Sequence, residues 1–213
     1  MGAVDQAPIP RPAATVILLR SAARGRFAME VLMLRRGSGA RFMPGVWVFP
    51  GGAVDPADHA AASAGGLELE PDELAHRVCG ARELGEEASI ALEPAALRPW
   101  SRWVTPEVVP IRFDTRFYVA AAPPGAAPRP DRNEVDVARW ISPEQALADH
   151  ADDRFELSFP TLKHLEELAG FADATAVLAE GARRHIEAIT PRVRGDRGDF
   201  EVLLPGDPGF ADE

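Results

Sequence analysis

Three glutamates, Glu83, Glu86 and Glu87, fall within five residues at the end of PDELAHRVCGARELGEEAS, the segment from Pro71 to Ser89. A proline followed by acids is a helix start. Leu74, Val78, Ala81, Gly85 and Ala88 then recur at i, i+4, i+7, i+11 and i+14, an apolar stripe expected to pack on a sheet. The glutamates stand at i, i+3 and i+4 and are expected on the opposite face, with His76 nearby. That is an unfavourable place for them. The helix dipole is negative at its C-terminus, which costs each carboxylate about 0.3 kcal/mol or more, and neighbouring charges repel by a similar amount. Arg82 offsets part of this charge but not all three. A hard divalent cation would offset the rest, because it prefers oxygen ligands. A solvated acidic face is the plainer alternative for three glutamates taken alone.

The segments around this helix read as strands. AATVILLRS and RFAMEVLMLRR, separated by a turn-like AARG, form a predicted hairpin. VWVFPGG is a short strand running into a Pro-Gly-Gly turn. RPWSRWVT, IRFDTRFYVAA and VDVARWIS supply three more strands, with PPGAAPRPDRN as the loop before the last. Residues 55–71, rich in Ala, Gly and acids without a period, are expected to be a loop. An insertion over about 59–72 begins in it; residues 59–70 are expected to be mobile, and the insertion to have no part in catalysis. Residues 143–190 read as mostly helical. The expectation is an α/β fold with a mixed sheet and additional C-terminal helices. It would comprise a loose arm over 1–12 and a single domain over 13–213.

Charge narrows the partners. The net charge is −10, so double-stranded nucleic acid, which needs a basic surface, is not an expected partner. The charge is uneven, however. Between Gln6 and Val54 stand Arg11, Arg20, Arg24, Arg26, Arg35, Arg36 and Arg41 against the single acid Glu30. The preference for Arg over Lys is explained by composition; the missing acids are not. Such a patch suits an anionic small molecule. The apolar run ATVILL is too short for a membrane span or a secretory leader, and the one cysteine, Cys79, excludes an internal disulfide framework. A cytoplasmic protein without a membrane partner is expected.

RELGEEASI, Arg82 to Ile90, resembles the core of the Nudix box, R-E-U-x-E-E-x-G-U with U a bulky apolar residue; Ser89 stands where the pattern has glycine. The box opens with a glycine, matched by Gly52, and Asp58 stands where its first glutamate belongs. Residues 59–81 then separate Asp58 from Arg82, a stretch of 23 where the family pattern has seven. This interrupted box is similar to that of the peroxisomal coenzyme A diphosphatases. Upstream, LMLRRGSGARFMPGVWVFPGG is similar to the coenzyme A signature of that branch. Arg36, Arg41, Gly45, Phe49, Pro50, Gly51 and Gly52 are in register, while Leu34 and Gly37 depart from it.

The resemblance implies a Nudix-type α/β/α sandwich and a divalent cation, Mg2+ (or Mn2+). Glu83, Glu86 and Glu87 would be its ligands, with the Gly52 carbonyl as an extra one. Glu83 is also the candidate to take a proton instead, and Arg82 would orient the glutamates by ion pairing. Arg36 and Arg41 match the signature arginines, and guanidinium forks suit phosphate. Glu134 lies six residues before Trp140, near where many Nudix enzymes carry a further acid; a plain surface acid is the alternative. Arg112 and Arg116 alternate on one strand, either lining the cleft or lying in solvent. Trp47, Phe42 and Trp103 read as core, His76 as a satisfied histidine, and Cys79 as a buried thiol.

The implied reaction is hydrolysis of the diphosphate of coenzyme A or acyl-CoA to 3′,5′-ADP and 4′-phosphopantetheine or its acyl form. ADP-ribose or another nucleoside diphosphate is the alternative, with Pro106 sixteen residues past Ile90 in its favour. A catalytically weak nucleotide-binding regulator is disfavoured, because all three glutamates are present. A small-molecule nucleoside diphosphate is the expected partner, with a homodimer the one assembly considered.

Overall fold

The computed structural model describes residues 7–22, 27–39, 43–64, 68–196 and 199–210. Arg41 and Phe42, singled out above, lie outside the described residues.

The long apolar run near the N-terminus becomes the central strand. β1 (Arg11–Ser21) pairs antiparallel with β2 (Met29–Arg36) on one side and parallel with β6 (Phe113–Ala121) on the other. Between them in the chain come β3 (Trp47–Val48), β4 (Gly51–Ala53), α1 (Pro56–Ala64), α2 (Pro71–Ala88) and β5 (Arg98–Val104). After β6 follow β7 (Val135–Ile141), α3 (Pro143–Ala151), α4 (Phe159–Leu168), α5 (Ala174–Gly181) and β8 (Ala188–Ile189). β9 (Arg192–Asp196) and β10 (Asp199–Leu203) end the series. The main sheet runs β3-β2-β1-β6-β5-β8, with β4 on β1 and β7 on β2.

Both faces of this sheet are buried, and the alternation of side chains shows how. Val16, Leu18, Leu32, Leu34, Tyr118 and Ala120 point to one face and meet Cys79, Leu84 and Ala88 of α2. Ile17, Leu19, Val31, Met33, Phe117 and Val119 point to the other, where Leu165 and Leu168 of α4 and Val177 of α5 cover them. The result is the expected α/β/α sandwich with a mixed sheet. Trp47, stacked on Phe155 at 4.2 Å between ring centroids, and Trp103 belong to the second core.

Four expectations change. The stretch expected as loop over 55–71 contains α1. The side chain of Asp55 accepts the backbone N–H groups of Ala57 and Asp58 and so starts the helix, and Ala62 packs with Leu74 and Ala75 of α2. The buried stripe of α2 is rotated from the predicted one: Cys79, Gly80, Leu84 and Ala88 meet the sheet, while Val78, Ala81 and Gly85 are only half-buried. Gly80 permits the rotation, sitting close against Val16 and Leu97. The helical stretch over 143–190 ends at Gly181. β8 adds a short parallel pair to β5, and β9 and β10 form a separate antiparallel pair. Finally, β1 begins at Arg11, so the last two residues of the expected arm belong to the sheet.

Candidate active site

The rotation of α2 brings its glutamates toward β4 rather than away from the sheet. Glu87 is 4% exposed and accepts the Gly51 N–H at 2.9 Å. Glu83 lies against Gly52, where any Cβ would overlap its carboxylate. A Cβ at Gly51 would overlap the backbone of β1. The glycine pair is therefore what lets a strand and two carboxylates share this space. Glu86 stays outside, 61% exposed.

Arg82 binds these groups together. Its Nη1 donates to Glu83 at 2.8 Å and to Glu86 at 3.0 Å. Its other side grips Asp58, Nε to Oδ1 at 2.9 Å and Nη2 to Oδ2 at 3.0 Å. Asp58 is 1% exposed and also accepts the Asp55 N–H. Burial works to raise the Asp58 carboxyl, but the Arg82 and Asp55 bonds outweigh it and hold the group below the usual carboxylate range. Asp58, 24 residues from Arg82 in the chain, thus closes the interrupted motif in space. The Ser89 departure is absorbed in the backbone. This residue caps α2 in the left-handed region at φ 55°, and its N–H bonds to the Gly85 carbonyl.

Electrostatics distinguishes the glutamates. Burial pushes Glu87 up to about 8; the Gly51 N–H and Arg36 oppose this, and Glu83 and Glu134 add to it. Glu83 is raised by burial too, with Arg82 pulling it back. Cys79 is pushed up to about 12 by burial, with Asp58 and Glu83 adding to it, so its thiol stays protonated. It is 3.6 Å from the Gly52 carbonyl, toward which its S–H points across the helix–strand interface. His76 is buried with Nδ1 bonded to the Asp72 carbonyl at 2.7 Å.

These groups line a cleft of about 620 Å³. Alternate residues of β1 and β6 line it, Arg11, Ala13 and Thr15 beside Phe113 and Thr115. Gly51, Gly52, Arg82, Glu83, Glu86 and Glu87 come from β4 and α2, and Arg36 and Glu134 from the flank where β2 ends. Asp131, not singled out from the sequence, accepts the backbone N–H groups of Asn133, Glu134 and Val135 and so shapes the loop bearing Glu134. Arg112 and Arg116 do not reach the cleft. Arg112 is buried, donating to the Thr105 and Pro8 carbonyls at 3.0 and 2.8 Å, and its role is to tie two loops. Arg116 turns to the N-terminus of α2 and pairs with Asp72 and Glu73, where their charges hold it. Both depend on segments distant in sequence.

The fold and the relatives of this chain are those of a diphosphatase hydrolase, and the strand-embedded cleft walled by a helix bearing an arginine and three glutamates is its candidate active site. Residues 9–160 match the NUDIX domain, and the chain belongs to that family. The crystal structure of a NUDIX hydrolase from Alicyclobacillus acidocaldarius superposes with a TM-score of 0.71 at 27% identity, covering 80% of this chain and 96% of that one. Putative nudix hydrolase 7 from Caenorhabditis elegans is 28% identical over 95% of this chain and 75% of its own length. Acyl-coenzyme A diphosphatase NUDT19 from Xenopus laevis is 24% identical over 86% and 72%. Among the described residues no helix is long and apolar enough to cross a membrane.

Proposed function

We propose that the chain is a divalent-cation-dependent diphosphatase acting on coenzyme A or its acyl esters. The observation that carries this reading is the meeting, in one cleft, of the Arg82-tied glutamates with Arg36 of the upstream signature. The name of the Xenopus laevis relative supports the substrate class.

The residues fit a hard cation by chemistry. All the donors are oxygens, and the Gly52 cradle is filled by a carboxylate. Glu87, buried with one backbone donor, gains most from a positive neighbour. Among the described residues no three acidic, His or Cys side chains already converge as a ligand set, since Glu86 and Glu83 are drawn to Arg82. Glu86, Glu87 and the Gly52 carbonyl would hold the cation, Mg2+ or Mn2+. When bound it would offset diphosphate charge and acidify a water.

The protein's own groups supply the rest. Arg36 meets the phosphate oxygens. Arg82 keeps Glu83 and Glu86 in place through the Asp58 anchor. Glu83, raised by its burial, takes the proton of the attacking water, since a base with a pKa moved toward neutrality is the more effective one. Products are 3′,5′-ADP and 4′-phosphopantetheine or its acyl form.

The test is a panel of coenzyme A, dephospho-coenzyme A and ADP-ribose with Mg2+ and with chelator, products identified by mass. Preference for coenzyme A compounds with cation present is the expected result. ADP-ribose ahead by tenfold or more would overturn the substrate and leave the family standing.

A further inference from the structure

Among the described residues three arginines line the cleft, and they are differently engaged. Arg82 is held by Asp58, Glu83 and Glu86. Arg36 stands on the flank where β2 ends, and its charge reaches Glu87. Arg11 is exposed, and among the described residues its side chain makes no ion pair and no hydrogen bond. Its guanidinium lies over the Phe113 ring, 5.9 Å from the centroid. Phe113 is half-buried and is the one aromatic side chain among the described residues of the lining.

The backbone beneath this pair is fixed. Arg11 and Phe113 are register partners at the start of the β1–β6 seam. The Arg11 N–H bonds to the Arg112 carbonyl at 3.0 Å. The Phe113 N–H bonds to the Thr105 hydroxyl at 3.0 Å, and the Thr105 N–H returns to the Phe113 carbonyl at 2.9 Å. Arg112 between them is buried, with its guanidinium on the Thr105 and Pro8 carbonyls. A cation and a ring face are thus held in place with their binding capacity unspent. Guanidinium forks suit phosphate, and an aromatic face suits a nucleobase.

The spacing to the glutamates fits one nucleoside. Ala14 is the register partner of Gly52, the glycine against which Glu83 lies. Arg11 stands three residues back along β1, about 10 Å at the rise of an extended strand. Ala13, Thr15 and Thr115 form the floor between, with no side chain larger than threonine. We propose that Arg11 and Phe113 form the nucleoside subsite of the diphosphatase, Phe113 taking the face of the base and Arg11 a phosphate carried on the ribose. This rests on the coenzyme A reading, whose substrate carries such a phosphate at its 3′ position. It makes Arg11 the residue that separates a phosphorylated ribose from a bare one, and it leaves Arg36 to the diphosphate.

The experiment measures kcat/KM for coenzyme A, dephospho-coenzyme A and ADP-ribose in the full chain, in Arg11→Gln and in Phe113→Leu, with inhibition by 3′,5′-ADP and by AMP alongside. The expected ratio of coenzyme A to dephospho-coenzyme A is on the order of tenfold or more in the wild type, the effect of one charged hydrogen bond. Arg11→Gln should bring it to near one by lowering efficiency on coenzyme A, and should weaken inhibition by 3′,5′-ADP but not by AMP. Phe113→Leu should lower both coenzyme A compounds by about tenfold and keep their ratio, since they share the base. A wild type that does not favour coenzyme A over its dephospho form overturns the subsite and leaves the coenzyme A reading in place. A ratio kept in Arg11→Gln, whatever the absolute loss, does the same and reduces Arg11 to a cover for Phe113. Turnover of ADP-ribose with none of either coenzyme A compound overturns the coenzyme A reading and the phosphate role of Arg11 together.

Discussion

Glu87 and His164 are buried on opposite faces of one sheet, and the protein treats them in opposite ways. His164, on α4, is 2% exposed with both ring nitrogens occupied. Its Nδ1 lies 2.6 Å from the Pro160 carbonyl, which can only accept, so Nδ1 carries the proton. Nε2 then accepts from the Ser101 hydroxyl at 2.6 Å. The ring packs 4.2 Å from Phe117, and burial lowers its pKa to about 4. Nothing about it is left to satisfy. Glu87 is nearly as buried, but it has one backbone donor, faces a cleft, and stands near Glu83 and Glu134, whose charges raise it further. Completed hydrogen bonding is the pattern of a structural ionisable group; a buried carboxylate with capacity to spare beside like charge is the pattern of a candidate site residue.

The largest expected effect tests the working side of that contrast. Glu87→Gln should lower kcat by roughly 10²–10³-fold or more, the loss typical of removing one electrostatic contact to a transition state, and Glu86→Gln similarly. Circular dichroism should stay native, and the cation-free Glu87→Gln protein should melt slightly higher than wild type. Near wild-type turnover in both variants would remove the glutamates from the site.

The next effect concerns the anchor. Asp58→Ala leaves Arg82 without its buried partner. It should cost about 3 kcal/mol of stability, at the low end for a broken buried pair because Arg82 is partly solvated. Turnover should fall with it. Urea denaturation with a parallel kcat measurement checks both; a stability unchanged within error would make Asp58 a bystander.

Acid and base then separate the two buried groups. The folded pKa of His164 is depressed, so its contribution is present above about 6.5 and is lost as pH falls toward 4. The folded pKa of Glu87 is raised, so the cation-free protein loses stability as pH rises from about 4.5 through 8. Denaturation midpoints between pH 4 and 8.5 should therefore decline at both ends. His164→Gln should flatten the acid limb only, and Glu87→Gln or added Mg2+ the alkaline limb only. A cation that leaves the alkaline limb untouched would argue against binding at Glu87.

The smallest effect lies at the end of α2. Ser89→Gly relieves a left-handed backbone and should stabilise by up to about 1 kcal/mol, offset slightly by loss of the 3.4 Å hydroxyl contact to the Arg129 carbonyl. Destabilisation would show that this contact outweighs the strain.

Much of the fold was legible because its strands alternate and its main helix carries a start signal. The face presented by α2 was not, because a period cannot tell which of two half-polar faces meets a strand with no side chains. Gly51 and Gly52 made the carboxylate face the inward one. α1 was missed since an alanine-rich segment has no stripe to read, and only Asp58 and Ala62 of it are buried. The candidate site was legible where it is local: Arg82 and the three glutamates fall within six consecutive helical positions, and all reach the cleft with Arg36, Gly52 and Glu134. What escaped was tertiary. Nothing beside Arg112 in the chain says that Pro8 and Thr105 will claim it, nor beside Arg82 that Asp58 will.

The parallel seam between β1 and β6 bears on how the protein is made. It joins residues about a hundred positions apart, Arg11 through Leu19 with Phe113 through Ala121. A ribosome delivers the first side of the cleft long before the second. Until Ala121 has emerged, β1 has only its antiparallel neighbours and an unpaired apolar edge. The cleft is thus a late product of synthesis, and a chain stopped short of β6 would hold Glu83, Glu86 and Glu87 without the seam that positions the opposite wall.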